Sequence, residues 1–533
     1  MSQKSQPTSR SLAVSVVLKV RFGQEAVQAA LDTAYSRSSL PFENRGFCTE
    51  LVYGTLRKFD RLEFFLRAFL ERFDSLPKEM GIALCVASYE LFYTRVPVYA
   101  TVDTFVTLIR SQFGPVMGKV ANGVLRNLER HREDFFDQNW YTKNCASEIA
   151  GLACWHAVPE WLLEVWLKAY GSADTAHYLE ASSLPAPNTL RFNSKGSQSR
   201  HIHDVDGGHD TDGAYDADGV PYVKGVKGVK DAFAELLPFS QEFLNIQSAV
   251  GESKPLSDAD ESHECVGQSE SGGAEIKSDP TSSKEAFPHQ QDESYLSLVN
   301  EVWSSFKESP RLTFTSSLPA AAHDFMSKGL VSQQSGAVLE VLEAMRPQEW
   351  SGPIWDCCCG RGGKTLALLE QDIEVALASD ISKPRLRGLE QELRRLGLEG
   401  ACLVENFSAV QDIKKSQFYA ETGIGDFGCV VIDAPCSGFG TLARHPEIRF
   451  RRTLQDVATL ARLQGAILDN TWQFVRRGGD LVYITCTLMP EENEEQVARF
   501  LAGHKDMTVV ASYQTPAQSR FGEFFYGVRF KKA

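Results

Sequence analysis

The chain has 533 residues, 43% of them hydrophobic, and a formal net charge of −14. This length exceeds what one hydrophobic core serves and predicts roughly two to four domains. The 12 cysteines lack the short, even spacings of a disulfide framework, so a reducing cytoplasm is the expected compartment, and no stretch approaches the ~20 consecutive apolar residues of a membrane-spanning helix.

The polar start Met1–Arg10 leads into an apolar run, Ser11–Val20, that already contains Lys19 and continues into Arg21 with a helical pattern rather than a cleavage site. From Ser11 to Arg132 the apolar residues recur at helical spacing: Leu62, Phe65, Leu66, Phe69 and Leu70 in one segment, Phe105, Leu108 and Ile109 in another. Residues 1–140 are therefore expected to form an all-α domain. Residues 141–200 read as the first part of a small α+β unit, with Trp161, Leu162, Val165 and Trp166 on a helix and Thr189–Asn193 alternating like a strand.

Residues 201–310 change character. This segment holds 22 Asp and Glu against 7 Lys and Arg, a charge of −15 that leaves the rest of the chain at +1 out of the −14 total. The acidic balance is thus local, and it does not bar the remainder from binding phosphates. His201–Gly219 and Gly251–Glu293 are low in complexity and cannot bury enough apolar surface to offset chain entropy, so an acidic, partly disordered insertion is expected. The island Val220–Val250, with Leu236 and Leu237, is the exception and has the apolar residues to pack on a neighbour.

From residue 311 to 533 the pattern is α/β. Expected strands are Ile354–Cys358, Val375–Ser379, Ala401–Glu405, Cys429–Asp433 and Asp480–Cys486, alternating with helices such as Lys383–Leu396 and Leu454–Arg476. Such alternation predicts a Rossmann-like, doubly wound, mostly parallel sheet whose ligands sit at the carboxyl ends of its strands. The first strand runs into Asp356-Cys357-Cys358-Cys359-Gly360-Arg361-Gly362-Gly363-Lys364, where glycines let the backbone approach a cofactor and a helix start offers N–H groups. A P-loop would need glycine at position 358. Zinc is disfavoured because adjacent strand residues face opposite ways, so no metal is expected. Asp380 ends the second strand, where an acid can accept from ribose hydroxyls or cap the next helix, and Asn406 follows the third.

Cys436, in Asp433-Ala434-Pro435-Cys436, and Cys486, in Thr485-Cys486, each end a strand. Methylating a pyrimidine at C5 requires a nucleophile at C6 and later loss of the C5 proton, work that two thiols can divide. The helix predicted to start at Pro490-Glu491-Glu492 would favour a thiolate at Cys486.

These segments carry a resemblance. Asp433 to Gly438, Arg444-His445-Pro446-Glu447-Ile448-Arg449 and Thr485-Cys486-Thr487-Leu488-Met489-Pro490-Glu491-Glu492-Asn493-Glu494 resemble the RsmB/Nop2/NSUN family of RNA cytosine-5 methyltransferases, with Gly522–Tyr526 similar to its closing strand. Leu51–Arg57 and Val120–Arg126 resemble the NusB-type RNA-binding domain of the bacterial RsmB branch. The resemblance implies S-adenosylmethionine held by Cys358, Cys359, Gly360, Arg361, Gly362, Gly363 and Lys364, with Asp380 on its ribose and Asn406 near its adenine. It implies Asp433 between cofactor and base, Cys486 as the nucleophile, and Cys436 assisting release. Arg444, His445, Arg449, Arg451 and Arg452, with Phe450 among them, are expected at the RNA. The chain departs from the family at Gly360-Arg361, where Ala-Pro is usual, and at Asn406, where Asp is usual.

The expected function is methylation of cytosine C5 in RNA, foremost small-subunit ribosomal RNA, by a cytoplasmic monomer without membrane partners. The alternatives are a tRNA cytosine-5 methyltransferase, against which the NusB-like region argues, and a catalytically weak RNA-binding assembly protein, against which both thiols argue. A DNA cytosine-5 methyltransferase should carry Glu-Asn-Val after the Pro-Cys thiol, and Ser437-Gly438-Phe439 does not match.

Overall fold

The structure is a computed structural model describing residues 7–193, 236–237, 240, 311–315 and 318–533. Most of the acidic stretch 201–310 lies outside the described residues. The chain forms two compact units, one of Met1–Pro187, Ser335–Leu393 and Glu399–Ala533, the other of Asn188–Gln334 with Arg394–Leu398.

The N-terminal part of the first unit is all helix: Ser9–Gly23, Val27–Arg37, Arg45–Arg57, Phe59–Ala68, Lys78–Tyr93, Val98–Phe113 and Pro115–Arg130 lead, followed by shorter helices up to residue 156. Local chemistry sets the ends. Thr8 and Ser11 form a reciprocal capping box on the first helix, and Pro77 and Pro97 occupy N-cap positions. The spacing read from the sequence holds: Leu62, Phe65, Leu66, Phe105 and Ile109 are buried in one core. Phe65 is its hub, with edge-on contacts to Phe69, Phe135 and Trp140 at ring separations of 4.9–5.3 Å. Helix Glu160–Ser183 follows and is broken at Gly171, whose φ of 73° no ordinary helical residue adopts. Residues 141–187, read from sequence with the small α+β unit, cluster with the first unit.

The second unit contains an antiparallel sheet of β1 (Asn188–Phe192), β2 (Arg311–Phe314) and β3 (Val331–Gln333), ordered β2-β1-β3. Its core joins Leu190, Phe192, Leu312, Phe314 and Phe325 to Leu236 and Leu237, so these two leucines of the apolar island do pack.

The larger sheet has seven strands in the order β6-β5-β4-β7-β8-β10-β9. They are β4 (Ile354–Asp356), β5 (Leu377–Ser379), β6 (Leu403–Glu405), β7 (Phe427–Asp433), β8 (Val475–Thr485), β9 (Met507–Gln514) and β10 (Tyr526–Lys532). β4 to β8 pair in parallel, whereas β10 runs antiparallel to both β8 and β9. This is the doubly wound sheet expected. β4 is shorter than expected because the chain turns into the glycine loop, and the helix starting at Leu454 stops at Thr471, short of Arg476. Trp472–Phe474 form a 3-10 turn and Val475 already pairs with Phe427. The closing strand begins only at Tyr526. No helix among the described residues is long and apolar enough to cross a membrane.

Candidate active site

From β4 the chain winds outward to β5 and β6, then returns to place β7 on the other side of β4. The crevice at this reversal is where such sheets bind ligands. The loop after β4 opens it. Gly362 has φ 83°, and a Cβ there would lie 2.2 Å from Leu389 Cδ1, so the turn is possible only with glycine. Gly360 N–H donates to Asp380 Oδ2 at 3.0 Å, and Ser382 N–H donates to Asp380 Oδ1 at 2.7 Å. Asp380 therefore ties the glycine loop to the turn that opens the following helix, which fits the helix-start reading of this acid. Asn406 Nδ2 donates to the Asp380 carbonyl at 2.8 Å, which turns its own amide oxygen away as the remaining acceptor.

The fate of Lys364 differs from a simple cofactor contact. Buried to 6% exposure, its ammonium pairs with Asp433 Oδ1 at 2.7 Å, joining the helix Gly363–Glu370 to the end of β7. Arg361 is exposed, and its guanidinium lies against Gly388 of the helix Lys383–Arg395. Asp356, fully buried, accepts from Thr365 Oγ1 at 2.6 Å. Burial pushes its carboxyl up to about 7.

The two strand-end thiols meet. Cys436 Sγ lies 3.2 Å from Cys486 Sγ and accepts from the Cys486 N–H at 3.3 Å. The hydrogen bond to Cys486, with burial, pushes the Cys436 thiol well above its ordinary value. β-sheet register explains the meeting, because Asp433 pairs with Ile484 and each cysteine follows a few residues later. The residues after Cys486 do not start an α-helix as expected: Pro490–Glu492 is a 3-10 turn, and the helix spans Glu494–Gly503.

That turn supplies a group the sequence reading did not single out. Buried Glu492 accepts the Ser437 N–H at 2.9 Å, the Ser437 hydroxyl, and Gln464 Nε2 at 2.9 Å. Ser437 Oγ also meets Thr487 Oγ1 at 2.7 Å. Gly440 adds main-chain ties, its N–H to Cys486 O at 3.0 Å and its carbonyl to Phe524 N–H at 2.8 Å. Both cysteine loops are thereby fixed to one another. The acid was visible within the Pro-Glu-Glu-Asn motif, but nothing local distinguished a buried carboxylate from a helix-start acid.

The basic segment 444–452 is a correction. Arg449 is 2% exposed and donates to the carbonyls of Arg57 at 2.8 Å, Ala157 at 2.9 Å and Ser182 at 3.1 Å. It caps the carboxyl ends of helices Arg45–Arg57, Glu148–His156 and Glu160–Ser183, where carbonyls lack helical partners, so it is not an RNA contact. Arg57 reciprocates with two bonds to Ala443 O at 2.8 and 3.0 Å. Arg451 bonds the carbonyls of Val20 and Glu25, Arg444 pairs with Glu523 at 2.7 Å, and Phe450 packs edge-on against Phe59. His445 is exposed, and Arg444, Arg451 and Arg452 are half-buried, with Arg444 and Arg451 already engaged by the protein partners just named.

A crevice of this kind, on this strand order, is that of a class I S-adenosylmethionine-dependent methyltransferase. Residues 341–527 match the family model described as 16S rRNA methyltransferase RsmB/F, and residues 7–130 match the NusB family. The α/β part of the chain is thus similar to the RsmB/F methyltransferases and the helical part to the NusB family. The chain is 27% identical to the ribosomal RNA small subunit methyltransferase B of Vibrio cholerae serotype O1, covering 91% of this chain and 88% of that one. It is 26% identical to the probable ribosomal RNA small subunit methyltransferase B of Synechocystis, covering 94% and 90%. The crystal structure of PH0851 shares the fold, with a TM-score of 0.62 at 15% identity over 99% of this chain and 100% of that one.

Proposed function

We propose that the protein methylates cytosine C5 in small-subunit ribosomal RNA, in the cytoplasm, through a transient bond between Cys486 and C6 of the base. The 3.2 Å approach of Cys436 to Cys486 carries this reading, since a bare cofactor site needs no second thiol. Bound S-adenosylmethionine supplies an electrophilic methyl group. The loop Cys358 to Lys364, with its positive-φ glycines, fits a cofactor lying close to the backbone, and Asp380 fits the ribose hydroxyls with its remaining lone pairs.

Cys486 adds to C6 and raises electron density at C5, which takes the methyl group. Loss of the C5 proton to solvent re-forms the C5–C6 double bond as the C6–S bond breaks, and Cys436, whose thiol is kept protonated, can donate a hydrogen bond to the departing Cys486 thiolate. Asp433, oriented by Lys364, stands at the end of β7 where its carboxylate can accept from the cytosine amino group and from N3–H once addition at C6 leads to protonation of that nitrogen. The target must leave its stack to reach thiols at the bottom of the crevice. Recorded as transfer of labelled methyl to unmethylated small-subunit ribosomal RNA, activity is expected to vanish in Cys486→Ala. Cys436→Ala is expected to accumulate a protein–RNA adduct stable to denaturing gel electrophoresis. Full activity in Cys486→Ala would overturn the assignment.

A further inference from the structure

Away from the catalytic crevice, the break at Gly171 splays helix Glu160–Ser183 into two halves and leaves a cavity of about 540 Å³ between them and the helices before it. That size suits a small organic ligand. One end of the cavity is cationic. Lys58, half-buried at the joint between helices Arg45–Arg57 and Phe59–Ala68, lines it, and no carboxylate of the described residues lies within ion-pair distance of its ammonium. Beside it, the Arg61 guanidinium lies 3.6 Å over the Trp155 ring. Leu163, Leu167 and Leu179 add an apolar lining.

A second observation points to a ligand. Thr175, 1% exposed, lines the same cavity, and its hydroxyl has no partner. The Lys58 ammonium has the Tyr93 ring 5.9 Å away but no carboxylate of the described residues to balance its charge, and the buried Thr175 hydroxyl has no partner, so a void serving only to separate helices would not collect both. Among the described residues Glu180 is the single carboxylate lining the cavity and is exposed, while His156, pushed down to about 4 by burial and by Lys58 and Arg61, faces it as a neutral ring.

We propose that this cavity binds one nucleoside phosphate of the RNA strand, the phosphate at Lys58 and the base against Trp155 and the leucine lining. The proposal rests on the reading that the substrate is RNA. It adds a contact remote from the target base, on the helical side of the protein. Lys58 is pushed down to about 7 by burial, then by Arg61, Arg449 and Arg57, and a phosphate beside it would offset that repulsion.

The test uses the full chain and the variants Lys58→Gln, Lys58→Arg and Thr175→Val. Removing the Lys58 charge relieves repulsion among neighbouring cations, so the fold should persist, and unchanged S-adenosylhomocysteine affinity verifies this. Cytidine 5′-monophosphate should bind the wild type about tenfold tighter than cytidine, by calorimetry, because phosphate contacts dominate such affinities. Lys58→Gln should weaken unmethylated small-subunit ribosomal RNA about fivefold and lower its log–log salt slope by about 0.7, with Lys58→Arg near wild type. Monophosphate binding that depends on Lys58 while RNA affinity and slope do not would mean a free nucleotide is the ligand, and would overturn the proposal. Absence of monophosphate binding together with an unchanged slope would overturn it as well. Methyl transfer by the wild type is measured in parallel: if it fails while RNA binding still depends on Lys58, the functional reading falls and the pocket stands.

Discussion

Glu492 accepts the Ser437 N–H at 2.9 Å, binding together two loops that lie 55 residues apart in the chain. The same carboxylate takes the Ser437 hydroxyl and Gln464 Nε2, so three donors converge on one buried acid. Glutamine in its place would present a donor to donors. Glu492→Gln is expected to lose about 2 kcal/mol of stability, the scale of one or two unsatisfied buried groups. It should also lower the rate of methyl transfer, because the Cys436 loop loses its fixed position, while S-adenosylhomocysteine affinity stays. Urea unfolding with calorimetry of cofactor binding checks both, and an unaltered transfer rate would show that the network does not position the thiols.

Arg449 offers a contrasting case. Its guanidinium, lowered to about 10 by burial yet still charged near neutrality, closes three helix ends with a single group. Arg449→Met should cost about 3–5 kcal/mol, since it strands buried carbonyls that a methionine cannot serve. RNA binding by the folded fraction should keep its salt slope, because no phosphate contact is removed. A reduced slope with undiminished stability would return Arg449 to the RNA surface.

Asp356 makes stability depend on pH. Its folded value of about 7 lies above the ordinary 3.8, so between these values the native state holds a proton that the unfolded chain has released. Stability from this group is therefore fully present below the unfolded value and is lost as pH rises toward 7, with a slope of at most ~1.4 kcal/mol per pH unit. Asp356→Asn should remove that slope. Denaturant unfolding at several pH values from 5 to 8 tests it, and identical slopes in both proteins would refute the buried-acid account.

Much of the site was legible because its parts are local. A strand followed by a glycine turn, an acid at the end of the next strand and cysteines directly after two further strands are written in consecutive residues, and alternation of period two with helical spacing announced the sheet that gathers them. The helical core was equally plain, since Phe65 and Phe105 sit on apolar faces whose spacing needs no partner to be recognised. The broken helix was not, because Gly171 reads the same in sequence whether it bends the chain or not.

Charged residues were the harder part. Arg449 and Arg452 look alike in the sequence, yet one is sealed among carbonyl ends and the other stays near the surface. Lys364, Glu492 and Lys58 likewise acquire their roles from partners, or from the lack of them, in distant segments. The amino-acid sequence by itself determined the fold class, the family resemblance and the chemistry available at the strand ends, because these follow from local periodicity and residue type. Only the tertiary structure decided which charges are buried and what they meet, because the cost of burying a charge depends on partners that the chain brings together only by folding.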